Sequence, residues 1–171
     1  MNPLGLELER LPAGLALIAL GANLGSRAET LDAALAALEE LPGNRVVARS
    51  SWHVTAPVGG PAGQGDFLNG VALLSTDLAP EALLELLHAV EARFGRERHL
   101  HHGPRTLDLD LLLHGDEVRG GPGLELPHPR MHERTFVLAP LAELCPALTL
   151  AAAGGATVAK QLAALSAAPP S

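Results

Sequence analysis

The apolar residues of this chain change their period four times between residues 15 and 113, and that order limits the folds open to it. Residues 15–20 (LALIAL) form a short, unbroken apolar run closing at Gly21, the pattern of a strand buried on both faces. From Ser26 the period becomes helical: Leu31, Leu35, Leu38 and Leu41 recur at helical intervals, Ser26 and Glu29 have capping-box spacing, and Pro42-Gly43-Asn44 stops the helix. Residues 45–55 then alternate, with Val46, Ala48, Ser50, Trp52 and Val54 on one face, which predicts one strand of period two. Residues 67–76 (FLNGVALLST) predict a further strand. Pro80 opens a second helix whose apolar stripe is Leu83, Leu87, Val90 and Phe94, closed by Gly95. The last strand spans 106–113.

Strand, helix, strand, strand, helix, strand is the split βαβ order, so the expected fold is α+β and ferredoxin-like, an antiparallel sheet with helices packed on it. At 171 residues, 47% of them hydrophobic, the chain has material for one core. The expected boundaries are an N-terminal extension over 1–13, one domain over 14–166 and a tail over 167–171. After the last strand come a glycine-rich connection at 120–123, a mixed segment (126–144) ending in a short helix, and an Ala-rich stretch forming one more helix. Residues 1–14 lack a basic stretch followed by an apolar one, and the uncharged run 146–159 is short of the roughly 20 apolar residues a membrane span requires. A cytoplasmic protein is expected, and the single Cys145 fits a reducing compartment. The net charge of −7 argues against a general nucleic-acid binder.

Two residues break the pattern of the last strand. RTLDLDLLLHG (105–115) carries Asp108 and Asp110 among leucines, although strands disfavour Asp and buried carboxylates need a partner. Alternation puts Leu107, Leu109, Leu111 and Leu113 on one face and both Asp on the other, their Cβ atoms about 6–7 Å apart. That spacing suits carboxylates sharing hard cations, since Mg²⁺ takes one or two carboxylates plus substrate phosphates. Solvated residues on an exposed strand face are the alternative. The preceding segment, RFGRERHLHHGPR (93–105), holds four of the eleven Arg, so carboxylates for a cation stand beside guanidiniums for phosphate, the inventory of phosphoryl transfer. No Walker A loop is present, because the only lysine is Lys160. His99, His101, His102, His128 and His132 could bind zinc instead, but their spacing matches no standard zinc pattern.

IALGANLGSR (18–27), SSWHVTAPVG (50–59), DFLNGVALL (66–74), GPRTLDLDLLLHG (103–115) and LPHPRMHERTFVLAPLAEL (126–144) together resemble the 6-hydroxymethyl-7,8-dihydropterin pyrophosphokinase family. The resemblance covers residues 16–146. It implies transfer of pyrophosphate from ATP to a pterin alcohol in folate biosynthesis, with a ferredoxin-like fold. It further implies that Asp108 and Asp110 hold two Mg²⁺, that Arg96 and Arg98 neutralise phosphate charge, and that Glu91, Arg98, Arg105, His128 and Arg134 serve the nucleotide. Gly21, Thr55, Val58, Phe67, Asn69 and Phe136 are implied for the pterin, Phe136 stacking on its ring. Where family members often carry Arg-Trp before GPRTLDLD, this chain has His101-His102, and Pro129 stands where some have Tyr. The expected partners are ATP and the pterin alcohol, with no nucleic acid, no membrane and a monomeric state. The rivals are another Mg²⁺-dependent phosphotransferase acting on a heterocyclic alcohol, and a non-catalytic ferredoxin-like binding module. For Phe67 and Phe136 the residues alone also allow plain core packing, and for Asn69 a strand-edge hydrogen bond.

Overall fold

The computed structural model describes residues 7–56, 65–95 and 107–167. The first strand, β1 (Leu15–Ala22), lies between β4 (Phe67–Ser75) and β5 (Asp108–His114), both antiparallel to it. β2 (Arg45–Arg49) and β3 (His53–Thr55) pair in turn with the far side of β4, giving the sheet order β2-β4-β1-β5. This is the ferredoxin-like α+β arrangement expected from the order of periods. The unbroken apolar run of β1 follows from its central place, where both faces of the sheet are covered.

One face packs against α1 (Arg27–Glu39) and α2 (Pro80–Arg93) through Ile18, Leu20, Leu31, Leu38, Leu83 and Leu87. The opposite face packs against α3 (Thr135–Leu144) through Leu17, Val71, Leu73, Leu138 and Leu141. On α3 lies α4 (Val158–Ala167), preceded by the short pair β8 (Thr149–Leu150) and β9 (Ala156–Thr157). Residues 7–13 lie against this second core: Leu11 is buried, and the Glu9 carbonyl accepts both the N–H and the hydroxyl of Thr149 at 3.1 Å. Among the described residues no helix is long and apolar enough to cross a membrane.

Several local expectations change. Residues 45–55 do not form one strand. Val47 is an extra residue, because Val46 faces Leu74 while Ala48 faces Leu73, and after the Ser50 N–H donates to the Val71 carbonyl at 2.9 Å the pairing lapses over 51–52 before β3 begins. The bulge sends Val46 into the core below α1 and Ala48 into the core below α3, so the expected shared face is lost. A second bulge at Leu112 does the same in β5. Leu107, Leu109 and Leu111 stay together, whereas Leu113 turns to the α3 side. Ser26 does precede α1, but its side chain makes no capping hydrogen bond, so the capping box is not formed. The glycine-rich stretch holds a small hairpin, β6 (Arg119–Gly121) with β7 (Leu124–Leu126), turning through Gly123 at φ 90°.

Gly70 fixes the packing of the only tryptophan. A Cβ on Gly70 would stand 2.4 and 2.5 Å from two carbons of the Trp52 indole and 3.0 Å from Ser50 Oγ. Gly70→Ala must therefore push the ring outward, and overpacking of this kind destabilises by about 1–3 kcal/mol. Urea unfolding followed by Trp52 fluorescence checks this, with a lowered midpoint and an altered native emission spectrum as the expected result.

Candidate active site

The site is assembled row by row on the α3 side of the sheet. Asp108 of β5 stands opposite Gly21 of β1, Gly21 opposite Asn69 of β4, and Asn69 opposite His53 of β3. Residues directly opposite one another on antiparallel strands present their side chains to the same face. These four therefore share a face, with Asp110, Ala19 and Val71 forming the next row inward and Thr55 with Phe67 the next row outward. Inward the rows are closed by Leu17, Leu73 and Leu113; outward the apolar packing thins, and Asp108, Asp110, Asn69, Phe67 and Thr55 are all half-buried. The two Asp thus line an opening rather than sit inside the core. The cost of Asp in a strand, on a propensity scale spanning about 1 kcal/mol, is smaller than the about 1.5–3 kcal/mol from burying each of Leu107, Leu109 and Leu111 behind them.

Gly21 allows two elements to approach. A Cβ there would lie 2.6 Å from Asn69 Oδ1, so the Asn69 amide rests over the glycine. Asn69 Nδ2 donates to Thr55 Oγ1 at 2.5 Å, fixing the amide's orientation across the β3–β4 pair. On the facing helix, Phe136 is half-buried against the second core, and the Arg134 guanidinium lies over its ring, 5.6 Å from the centroid. Phe67, Asn69, Thr55 and Gly21 thereby share, with Asp108, the sheet face on the side of α3, the helix that carries Phe136.

His128 follows the β6–β7 hairpin. Its N–H donates to the Leu112 carbonyl at 2.9 Å, tying the segment to β5, and its Nδ1 accepts the Arg130 N–H at 3.2 Å. A ring accepting at Nδ1 carries its proton on Nε2 when neutral. Burial first, then the Arg134 and Arg130 cations, push the His128 pKa below the usual value, partly offset by the Asp108 carboxylate. His128 is consequently a neutral hydrogen-bond donor at pH 7. Glu91, on α2, is 2% exposed, and its Oε2 accepts the Leu109 N–H at 3.3 Å, between the two Asp residues of β5. Of the remaining sequence-predicted residues, Val58, Arg96, Arg98 and Arg105 lie outside the described residues, as do His99, His101 and His102.

A cleft of ≈ 300 Å³ opens beside Asp110, between α2, β5 and the β6–β7 hairpin, lined by Leu84, His88, Leu111, Leu124, Glu125 and His128 among others. Sequence reasoning missed Leu84, His88, Leu124 and Glu125, and placed Leu111 only on the core face of its strand. Leu84 and His88 are four residues apart on α2, a spacing that places them side by side on the helix, but nothing in the sequence says that this stripe faces β5.

Among the described residues no group of three or more His, Cys, Asp or Glu could hold a metal ion by itself. Two carboxylates on one face suit a cation that completes its shell with water and substrate phosphate, and Mg²⁺ binds in that manner. Cys145 is buried, and burial pushes its thiol up to about 11, so it offers neither thiolate ligand nor nucleophile at neutral pH.

The description of the family whose model matches residues 17–146 reads 7,8-dihydro-6-hydroxymethylpterin-pyrophosphokinase. Among the relatives that carry the name 2-amino-4-hydroxy-6-hydroxymethyldihydropteridine pyrophosphokinase are three from bacteria. The one from Pseudomonas aeruginosa is 51% identical over 133 residues, covering 78% of this chain and 82% of the relative. That from Bacillus subtilis is 47% identical, covering 77% and 78%, and that from Haemophilus influenzae 44% identical, covering 79% and 84%. Among solved structures, the wild-type Plasmodium falciparum HPPK-DHPS with pteroate superposes with a TM-score of 0.71 at 12% identity, over 92% of this chain. The chain spans 43% of that longer protein, and at such identity the likeness concerns the fold alone. The match of residues 17–146 runs through every strand of the main sheet and through the Asp108–Asp110 face, so the chain belongs to the 7,8-dihydro-6-hydroxymethylpterin-pyrophosphokinase family.

Proposed function

We propose that this protein transfers a pyrophosphoryl group from ATP to the hydroxymethyl group of 6-hydroxymethyl-7,8-dihydropterin, releasing AMP and the pterin diphosphate. The observation that carries the reading is the single sheet row joining a phosphate-side carboxylate, Asp108, to a heterocycle-side amide, Asn69, across Gly21. The alcohol oxygen attacks the β-phosphorus, the bond from that phosphorus to the oxygen bridging it to the α-phosphorus breaks, AMP leaves with that oxygen, and the hydroxyl proton passes to solvent.

The flat pterin occupies a slot between this sheet face and Phe136 of α3. Phe136 and Phe67 supply apolar surface, while Asn69 can both donate and accept along the ring edge, with Thr55 holding the amide in place. Gly21 keeps the slot thin. The cleft beside Asp110 takes the nucleotide base and sugar between Leu84 and Leu111, which lays the phosphate chain along β5 toward the slot. His128, neutral and donating from Nε2, hydrogen-bonds a phosphate oxygen, and Arg134 swings from the Phe136 ring toward the same charge. Glu91 supports the nucleotide side by holding β5. Arg96, Arg98 and Arg105 add phosphate contacts, and Val58 adds apolar surface at the pterin.

Asp108 and Asp110 would hold two Mg²⁺, which lower the pKa of the attacking hydroxyl and neutralise charge on the phosphates. Both substrates are small, with no nucleic acid or membrane partner, and the net charge of −7 supports the first exclusion. The protein acts as a cytoplasmic monomer.

Incubation with ATP and the pterin alcohol should yield AMP, without ADP, and excess EDTA should abolish turnover until Mg²⁺ is restored. ADP as the nucleotide product, or AMP formation indifferent to the pterin, would overturn the assignment.

A further inference from the structure

At the far end of α3, Glu143 meets the break between β2 and β3. Its Oε2 accepts the Ser51 backbone N–H at 2.8 Å, and its Oε1 accepts the Ser51 hydroxyl at 2.6 Å and pairs with His53 Nε2. Ser51 Oγ also lies 3.3 Å from His53 Nε2. A serine, a histidine and an acid together invite comparison with a hydrolytic triad, but the geometry excludes it. In a triad the acid and the serine occupy opposite ring nitrogens, whereas here both converge on Nε2, leaving no base to activate the hydroxyl.

The position of the cluster suggests a different use. His53 stands directly opposite Asn69, whose amide is bonded to Thr55, two residues beyond His53 on the same strand. Glu143 lies seven residues after Phe136, which puts both on one face of α3, about 10 Å apart along its axis. The helix that covers the slot is therefore pinned at one end to the strand that forms the slot's edge. Burial raises the Glu143 pKa, but the bonds from the Ser51 hydroxyl and N–H and from His53 outweigh it and hold the carboxyl below its ordinary value. His53 and Glu143 side chains are 29% and 33% exposed. A pair so open to solvent contributes little to global stability, which leaves positioning as its main effect.

We propose that Ser51, His53 and Glu143 form a clamp that sets the spacing between α3 and β3, and with it the fit of the pterin between Phe136 and Asn69. None of the three touches the reacting atoms. They are positioning residues, and the inference rests on the pterin slot described above. Releasing the clamp lets α3 tilt about its remaining contacts, and displacements near 1 Å at a binding site are enough to change rates up to about 100-fold.

The test is steady-state kinetics on the full chain carrying Glu143→Ala, Glu143→Gln, His53→Ala or Asn69→Ala, with urea unfolding of each. Glu143→Ala and His53→Ala are expected to raise the pterin KM about tenfold, leaving the ATP KM within about twofold and the unfolding midpoint near that of the parent. Glu143→Gln keeps an acceptor for Ser51 and should recover part of the loss. Asn69→Ala is the reference for the slot itself. If it raises the pterin KM while Glu143→Ala and His53→Ala do not, the clamp is refuted and the slot stands. If Asn69→Ala also leaves the pterin KM unchanged, the slot reading fails and the clamp with it. Parallel rises in both KM values, or a clear fall in midpoint, mark a general structural contact and overturn the proposal.

Discussion

Asp110→Ala should lower AMP formation by about a thousandfold or more while leaving the fold intact, and Asp108→Ala should do the same. The reason is the division of labour within β5. Leu107, Leu109 and Leu111 are buried below α1 and α2, and the Leu109 N–H is held by Glu91, so the strand keeps its place when a carboxylate is removed. The two Asp side chains are half-buried on the opposite face, Asp110 beside the cleft. Like charges two residues apart repel, and deleting one relieves that repulsion, so the stability change should stay within about 1 kcal/mol. A pyrophosphokinase works mainly by positioning and charge neutralisation, and removing half of the proposed two-carboxylate cation site would remove both. Asp110→Asn separates the charge from the shape, and should be nearly as inactive. Initial rates of AMP release at saturating Mg²⁺, with circular dichroism and urea midpoints alongside, check these outcomes. Recovery of full rate in any of the variants would refute the metal role of the pair.

The sheet was readable because its strands obey local rules. β1 is continuously apolar because it is central, and β5 pairs a leucine face with a carboxylate face because one side packs below α1 and α2 while the other is only half-buried. What escaped the sequence depends on irregularity. An extra residue at Val47 or Leu112 flips the side chains that follow, and no composition signal marks a bulge in a run such as VVA or LLL. The capping box at Ser26 failed because the spacing of Ser and Glu permits the bonds without compelling them. The hairpin over Arg119–Gly121 and Leu124–Leu126 was hidden by glycines that read as a plain loop. On the sheet face, the shared side of Asp108 and Asp110 was legible from strand alternation, and the row that joins them to Gly21 and Asn69 was not, because it depends on pairing between distant strands. The cleft was not, because it lies between α2, an edge strand and a hairpin distant in sequence. Glu143 was likewise invisible, since its partners Ser51 and His53 are 92 and 90 residues away.

Gly21→Ala is expected to raise the pterin KM by about 10–100-fold without destabilising the protein. The added methyl would stand 2.6 Å from Asn69 Oδ1, but its next contacts are ordinary, 3.8 Å to Asn69 Cγ and 3.9 Å to the Leu68 carbonyl. The only atom that must yield is therefore the end of a side chain, and the backbone of β1 stays where its pairing holds it. Gly21 does not rely on a positive φ, so alanine meets no backbone strain, and replacing a strand glycine relieves up to about 1 kcal/mol of unfolded-state entropy. The displaced Asn69 amide loses its bond to Thr55 and with it the orientation proposed to read the pterin edge. A site built to hydrogen-bond a polar ligand suffers when a partner is misaligned, since the ligand groups are then buried unpaired. The prediction carries its own control, because the damage runs through one residue. In an Asn69→Ala background the Gly21→Ala change should add little, so the two effects on pterin KM are expected to be strongly non-additive. Fully additive losses would mean that the methyl obstructs the ring directly, and Gly21 would then act as the floor of the slot rather than as the space in which Asn69 rests.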